Sequence, residues 1–279
     1  MRGGNDDGTI GGITLMDQPK PAHLGPQYAV QFEDAAVVAA YAHRPGYPAE
    51  TFEILTALIP DVQLESAVLE LGCGTGDLTR PLAERVGRID AIDISTAMIA
   101  RARTLPGGDD RRIRWIIEAA ERAQLDPPYA LAVAGESLHW MDWPVVLPRI
   151  AAVLARGAVL AIVERRELEN PWWPDLLAII QRYSTNRDFR PYDTIVEIEA
   201  RGLFEVLGRL TTLAVPVRQT VHDYTESLHS RNGFSRDRMT PKAAAEFDAT
   251  CRSLLVPVAA SGMLRFSVAA EVVWGTPES

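Results

Sequence analysis

The segment from Val68 to Thr79, "VLELGCGTGDLT", constrains the fold of this 279-residue chain more than any other. A short apolar run ends in three glycines, Gly72, Gly74 and Gly76, and a helix-like segment follows them. Glycine has no Cβ, so the backbone can turn sharply and its amides can approach a ligand closely. At the carboxyl end of the first strand of an open α/β sheet, such a loop forms a crevice for a nucleotide-like cofactor.

Apolar, strand-like runs alternate with helix-like segments through the first part of the chain. Five such runs are present, namely "AVLELG", "RIDAIDIS", "IRWIIEA", "YALAVAGES" and "AVLAIVE". The segments between them have the periodicity of amphipathic helices. This alternation predicts right-handed βαβ units and a mostly parallel sheet with helices on both faces.

The pattern changes after the fifth run. Residues 168–192 are aromatic and helical, and further helical segments are predicted around 194–207 and 222–255. The end, "LRFSVAAEVVWGTP", alternates like a half-buried strand. Residues 1–27 are predicted to form a disordered arm, because Gly, Pro and Asp dominate them.

An acid follows the glycine loop at the distance that a ribose-binding site needs. In "AIDIS", Asp93 lies 21 positions after Gly72, at the end of the second predicted strand. There, a carboxylate can accept hydrogen bonds from ribose hydroxyls. The loop reads G-x-G-x-G, with Glu70 two residues before its first glycine, whereas dinucleotide folds use G-x-G-x-x-G around a pyrophosphate. The spacing therefore disfavours NAD.

Several motifs resemble those of one enzyme family. "ELGCGTG" resembles the first motif of class I S-adenosylmethionine-dependent methyltransferases, while "YAHRPGYP", "ESLHWMDW" and "VVWGTP" resemble segments of their type 11-like small-molecule subgroup, which includes trans-aconitate methyltransferase relatives. The resemblance implies a Rossmann-like α/β fold whose seven-stranded, mostly parallel sheet has helices on both faces and a helical cap inserted after strand five. It implies a methyltransferase domain over 28–279, with lid helices at 28–60 and the cap within 165–255.

The resemblance also implies a cofactor, S-adenosyl-L-methionine, and a product, S-adenosyl-L-homocysteine. Glu70 would organise the loop or reach the cofactor amino group, Asp93 would bind the ribose, and Arg44 could bind the cofactor carboxylate. The family commonly has a strand-three acid for the adenine amino group, but here "EAAE" places Ala119 at that position. Glu118 or a backbone group would take that role, or the adenine end is held more loosely. The candidate cofactor-binding residues are Tyr41, Arg44, Glu70, Gly72, Cys73, Gly74, Gly76, Asp93, Ile94, Met98, Glu118, Ala119, Ala120, Gly135 and Glu136.

Methyl transfer from a sulfonium is an in-line displacement that needs alignment and exclusion of water but no metal. His139 is the candidate base, because its ordinary pKa suits proton transfer; the alternative is a histidine that shapes the pocket. The candidate substrate-binding residues are Trp140, Trp172, Trp173, Tyr183 and Arg231. The paired tryptophans could instead fill the core of the cap. His222 and His229 lack a usual metal-ligand spacing, so no metal is expected.

Composition restricts the partners. The net charge is -9 and no Lys/Arg run exceeds two residues, which argues against nucleic acid. No apolar stretch approaches the roughly 20 residues of a membrane span. Cys73 and Cys251 have no disulfide-framework or redox spacing, which favours a reducing cytoplasm. The sequence leaves open whether the chain forms a homodimer.

We therefore predict an S-adenosylmethionine-dependent methyltransferase that acts on a small molecule of secondary metabolism. Three alternatives stay open at this stage. The cofactor could have a non-methylating fate, such as cyclisation of its aminobutyl group or a pericyclic reaction in the cap. The loop could hold NAD, or the chain could be a non-catalytic cofactor-binding subunit.

Overall fold

A computed structural model describes residues 20–60 and 66–278 of the chain. In this part of the chain, eight strands form one mixed sheet. The strands are β1 (Ala67–Leu71), β2 (Arg88–Asp93), β3 (Ile113–Ile117), β4 (Leu131–Gly135), β5 (Leu160–Leu168), β6 (Phe204–Thr211), β7 (Val215–Thr220) and β8 (Met263–Pro277). Their order across the sheet is β3-β2-β1-β4-β5-β8-β6, and β7 also pairs with β8.

The first five strands are parallel and the last three run antiparallel to their neighbours. The chain moves outward from β1 to β3 and then returns to place β4 on the other side of β1. The helices that follow β1 and β4 therefore diverge at this point, and a crevice opens above the carboxyl ends of the two strands. The glycine loop lies at this switch point, which confirms the predicted Rossmann-like architecture.

Ten α-helices surround the sheet in the described residues. They are α1 (Pro26–Ala29), α2 (Ala35–Ala40), α3 (Ala49–Ala57), α4 (Thr79–Ala83), α5 (Thr96–Thr104), α6 (Trp143–Val153), α7 (Trp173–Tyr183), α8 (Thr194–Ala200), α9 (Val221–Leu228) and α10 (Pro241–Leu255). Side chains alternate along β1, so that Leu69 packs into one apolar core and Val68 into the core on the opposite face. A third apolar core, centred on Phe247, holds the cap together.

Two local predictions in the second half of the chain were wrong. The helix predicted around 194–207 ends at Ala200, and Phe204 begins β6. The register of β6 against β8 shifts between Val206 and Gly208. This irregularity interrupts the alternation of apolar and polar residues by which a strand is recognised in a sequence. The strand β7 was not predicted, and the sheet has one strand more than expected because β6 and β7 pair with different parts of β8.

The amino-terminal prediction falls partly outside the described residues. Of the predicted arm, residues 1–19 are not described, but residues 22–24 form a 3₁₀ helix. His23 is buried there, with its ring edge-on to Phe189 and to Tyr192. These aromatic contacts give residues before 28 a defined place against the domain.

Candidate active site

Two adjoining cavities open at the carboxyl edge of the parallel strands. The loop cavity, of about 400 Å³, is lined by the glycine loop and the ends of β2 and β4. The cap cavity, of about 810 Å³, is lined by the end of β5 and by residues of the cap. Six residues line both cavities, namely Phe32, Tyr41, Arg44, Glu136, Trp140 and Arg165. The two cavities therefore adjoin at these residues.

Fourteen of the fifteen predicted cofactor-binding residues line the loop cavity. They are Tyr41, Arg44, Glu70, Gly72, Cys73, Gly74, Asp93, Ile94, Met98, Glu118, Ala119, Ala120, Gly135 and Glu136. Gly76 is the exception, because a Cβ at this position would lie 2.6 Å from the ring of Trp115. Its φ of 78° also favours glycine, so Gly76 permits the turn and the packing on Trp115 rather than lining the cavity.

The loop and the second strand are joined by the carboxylate of Asp93. One of its oxygens accepts a hydrogen bond from the Gly74 amide at 2.7 Å, and the other accepts one from the Ser95 amide at 2.8 Å. Burial raises the pKa of Asp93, and the two amide donors oppose this shift. Each carboxylate oxygen has a second lone pair and Asp93 lines the loop cavity, so it has the capacity to accept two further hydroxyl donors.

Glu70 connects the end of β1 to the first turn of α4. The Thr79 hydroxyl donates to its carboxylate at 2.6 Å, and the side chain is 2 % exposed. Burial raises the pKa of Glu70 to about 8, despite the hydrogen bond from Thr79. The contact with Thr79 supports the loop-organising role, and the position of Glu70 in the cavity wall keeps the second role, contact with an amino group, within reach.

The adenine side of the loop cavity differs from the family pattern. The Ala119 amide donates to the carboxylate of Glu118 at 2.8 Å, and Arg122 also donates to this carboxylate at 3.1 Å. The Ala119 amide is therefore already engaged by its neighbour, whereas an adenine amino group is a donor and would need the Glu118 carboxylate or a backbone carbonyl as its acceptor. Glu121, which the sequence analysis missed, lines the same end and accepts from the Asp142 amide at 2.8 Å. Glu121 could have been identified from the sequence, because it is the second acid of "EAAE" and lies two residues after Ala119.

Glu136 lies at the boundary between the two cavities and receives two arginines. Arg165 donates to its carboxylate at 2.7 Å and Arg44 at 3.1 Å. Burial alone would raise the pKa of Glu136, but Arg165 and Arg44 hold it at about 2. Arg44 also donates to the hydroxyl of Ser230 at 2.7 Å, which ties the lid to the cap. Arg165 was missed, although the charged run "ERRE" directly follows the buried apolar residues at the start of β5.

Of the predicted substrate-binding residues, the structure brings together Trp140, Trp173 and Arg231 in the wall of the cap cavity. Trp172 lies elsewhere, buried with its ring edge-on to Tyr224 and Phe266. Tyr183 likewise packs with its ring 5.8 Å from Phe247. Trp172 and Tyr183 pack in the core of the cap, so the core alternative holds for Trp172 but not for Trp173.

The candidate base His139 lines the cap cavity beside Trp140, with their ring centroids 4.8 Å apart. Burial lowers its pKa to about 4, so the imidazole is neutral near pH 7. A neutral imidazole can accept a hydrogen bond or a proton from an acceptor molecule, but at this pKa it is a weak base. The sequence analysis missed Glu164, Glu167 and Asn170, which line the same cavity.

Metal-ligating side chains are not clustered in residues 20–60 and 66–278, where no group of three or more His, Cys, Asp or Glu could hold a metal ion. His229 has a different environment, because its ring nitrogens contact the Phe234 carbonyl and Asp248, each at 2.7 Å. Over the same described part of the chain, no helix is long and apolar enough to cross a membrane.

Comparison with known proteins identifies the domain. Residues 68–157 match the family model described as "Methyltransferase domain". The chain is 31% identical over 137 residues to trans-aconitate 2-methyltransferase of Streptomyces avermitilis, covering 47% of this chain and 51% of that protein. It is 35% identical over 144 residues to the enzyme of the same name from Methylobacterium nodulans, covering 50% and 52%. The chain thus spans about half the length of the curated relatives it matches.

A solved structure shows the same fold. It is a candidate type II methyltransferase from Anaeromyxobacter dehalogenans, which superposes with a TM-score of 0.58 at 24% identity, over 84% of this chain and 97% of that chain. Residues 68–157 therefore match a methyltransferase domain, and the chain has the fold of this methyltransferase structure.

Proposed function

We propose that this chain, whose methyltransferase domain has the class I fold, transfers a methyl group from S-adenosylmethionine to a small molecule in the cap cavity. One observation carries the proposal. The loop cavity, which contains the carboxylate of Asp93 at the position expected for ribose binding, adjoins the cap cavity. Bound in the loop cavity, the cofactor would supply an electrophilic methyl group on a sulfonium. The shared wall is where the two molecules would meet.

The residues of the loop cavity fit this cofactor. Asp93 is held by two backbone amides and would accept the two ribose hydroxyls. Arg44 and Arg165 share the carboxylate of Glu136, and Arg165 also lies 4.0 Å from the carboxylate of Asp77, so Arg44 is the arginine that would bind the carboxylate of the amino-acid end. Glu70 lines the same cavity and would face its ammonium group. A buried carboxyl with a raised pKa ionises more readily beside such a cation.

The residues at the shared wall would align the reactants and exclude water. Phe32 and Trp140 meet edge to face there, with ring centroids 5.4 Å apart, and Tyr41 packs beside Phe32 at 6.4 Å. Alignment in a dry site can account for several kcal/mol of a displacement barrier, on the order of 7 or more in favourable cases. His139 would accept a hydrogen bond from the nucleophile and hold its lone pair toward the shared wall.

A small molecule is the acceptor that the cap cavity favours. Its volume of about 810 Å³ lies in the range of small-ligand pockets, roughly 300–1,000 Å³. The net charge of -9 disfavours a nucleic-acid acceptor. Secondary metabolism as the source of this acceptor rests on the resemblance of the sequence motifs to the small-molecule subgroup.

The test uses S-adenosylmethionine carrying an isotopic label in its methyl group. The purified protein is incubated with the small-molecule fraction and, separately, with the macromolecular fraction of a cell extract, and labelled products are identified by mass spectrometry. We expect label in a small molecule, and no transfer by the Asp93→Ala variant. Label only in protein or nucleic acid would contradict the small-molecule proposal.

The fate of the cofactor is measured in the same reaction. Methyl transfer leaves S-adenosylhomocysteine, whereas cyclisation of the aminobutyl group leaves 5′-methylthioadenosine and no methylated product. Accumulation of 5′-methylthioadenosine would replace the transferase proposal with the non-methylating alternative. Tight cofactor binding without any product would favour a non-catalytic subunit.

A further inference from the structure

The cap cavity has an uneven distribution of unpaired charge. Four arginines line it, and each has a carboxylate partner. Arg44 and Arg165 contact Glu136, Arg166 contacts Glu271, and Arg231 contacts Glu167. Arg166 and Arg231 therefore each pair with a separate carboxylate, while Arg44 and Arg165 share Glu136.

Glu164 is different from these paired groups. It lies in β5 two residues before Arg166, on the same face of the sheet, and lines the cap cavity. Within residues 20–60 and 66–278, its carboxylate has no hydrogen bond or ion pair, since the nearby Arg166 donates to Glu271 instead. Burial raises the pKa of Glu164, and Arg166 offsets this only in part. A carboxylate in this situation is stabilised by a cation brought in by a ligand.

The other carboxylates of this wall are satisfied. Glu167 accepts from Tyr224 at 2.7 Å and from Arg231 at 2.6 Å. Glu169 accepts from the Ser267 hydroxyl at 2.7 Å. Glu164 is thus the carboxylate of the cavity with no protein donor among the described residues.

Aromatic rings supply a second, independent feature. Phe32, Trp140 and Trp173 line the same cavity as Glu164. The face of an aromatic ring attracts a cation through its quadrupole, and carboxylate plus aromatic walls form the usual environment for an organic ammonium group. His139 adds no competing charge, because its lowered pKa keeps it neutral near pH 7.

We propose that the molecule bound in the cap cavity carries a protonated amine, and that Glu164 selects it by forming an ion pair with this group. This inference rests on the proposed function, because it names the acceptor class of the same site. The ammonium is a recognition group here, since a protonated nitrogen has no lone pair with which to attack a methyl group. The two curated relatives described above are named for trans-aconitate, which is an anion, and the matched methyltransferase domain ends at Gly157, before Glu164.

The test compares ligands that differ in one terminal group. Tyramine, tyrosol and 4-hydroxyphenylacetate share a phenol ring and end in an ammonium, an alcohol and a carboxylate, and a parallel naphthyl series covers a larger ring. Each is titrated by calorimetry into protein saturated with S-adenosylhomocysteine. We expect the amine of at least one series to bind about tenfold or more tightly than its alcohol, as a charge-assisted hydrogen bond predicts.

Two isosteric variants locate the effect. Glu164→Gln should abolish the preference for the amine, while Glu169→Gln, which neutralises a satisfied carboxylate of the same wall, should keep it. Equal loss in both variants would show that the general field of the cavity, and not Glu164, selects the amine. Tighter binding of the carboxylates, or no preference for the amine in either series, including no binding, would overturn the inference.

The titration with S-adenosylhomocysteine separates the two proposals. If it binds to the wild type and to both variants but the wild type shows no amine preference, the inference about the amine and Glu164 is wrong and the proposed cofactor site stands. If it does not bind to the wild type, the proposed function fails before the acceptor class is tested.

Discussion

The walls of the loop cavity and the cap cavity are built by different means. In the loop cavity, the key hydrogen bonds come from backbone amides, as at Gly74 and Ser95, whose positions follow from the strand–turn–helix geometry. In the cap cavity, side chains distant in the sequence pair with each other, as Arg231 does with Glu167, 64 residues away. Under the proposed function, cofactor binding would follow from the path of the backbone, and acceptor choice would follow from side-chain pairing, which can change without altering the fold.

The largest expected effect is a pH dependence of stability caused by Glu70, the buried acid of the loop cavity. The pKa of Glu70 is raised from 4.5 to about 8, so the folded state holds a proton that the unfolded state has lost between these values. The free energy of unfolding should therefore fall as pH rises from 5 to 9, by about 4 kcal/mol from this group. Glu70→Gln, which can still accept from Thr79, should remove this fall in urea unfolding of the cofactor-free protein. Equal pH dependence of the free energy of unfolding in the variant and the wild type would show that burial does not raise the pKa of Glu70.

The next effect concerns cofactor affinity. Asp93→Ala should weaken S-adenosylhomocysteine binding by at least about 100-fold, because the ribose loses its acceptor and two amides lose their partner. Calorimetry with Asp175→Ala, an exposed acid at the start of α7, serves as the control and should show unchanged affinity. A small loss, within about twofold, would mean that the loop does not depend on this carboxylate.

His139, in the wall of the cap cavity, should give the free energy of unfolding the opposite pH dependence. The pKa of His139 is lowered from 6.5 to about 4 in the folded state. Between these pH values the histidine is protonated in the unfolded state and neutral in the folded state. The free energy of unfolding should therefore fall by about 2 kcal/mol from this group as pH drops from 7.5 to 5. His139→Gln should reduce this acid sensitivity in urea unfolding at the two pH values. If the variant is as acid-sensitive as the wild type, the cap wall is more accessible to water than the structure shows.

The smallest expected effect distinguishes two glycines of one loop. Gly76→Ala meets Trp115 at 2.6 Å in addition to its φ of 78°, whereas Gly74→Ala meets nothing closer than Tyr41 at 3.7 Å at a φ of 55°. Gly76→Ala should therefore lower the free energy of unfolding by about 1–2 kcal/mol more than Gly74→Ala. Thermal and urea unfolding of both variants measure the difference. A reversed order would mean that Trp115 moves aside without cost.

The comparison also explains which parts could be predicted from the sequence. The loop, Asp93 and the lining of the loop cavity follow from local spacing, because parallel strands end at one edge of the sheet. Arg165 and Glu164 could not be assigned in the same way, since their roles depend on β5 extending to Leu168 and on which arginine each carboxylate meets. Trp172 and Trp173 are adjacent in the sequence, but only the contacts of α7 decide that one is buried and the other lines the cavity.

The most direct test of the account is calorimetric titration of the wild-type protein with S-adenosylmethionine and, separately, with NAD. The G-x-G-x-G loop, the doubly held Asp93 and the adjoining cap cavity predict micromolar binding of S-adenosylmethionine at one site per chain and no measurable binding of NAD. Tighter binding of NAD, or no binding of S-adenosylmethionine at millimolar concentration, would contradict the assignment of the loop cavity.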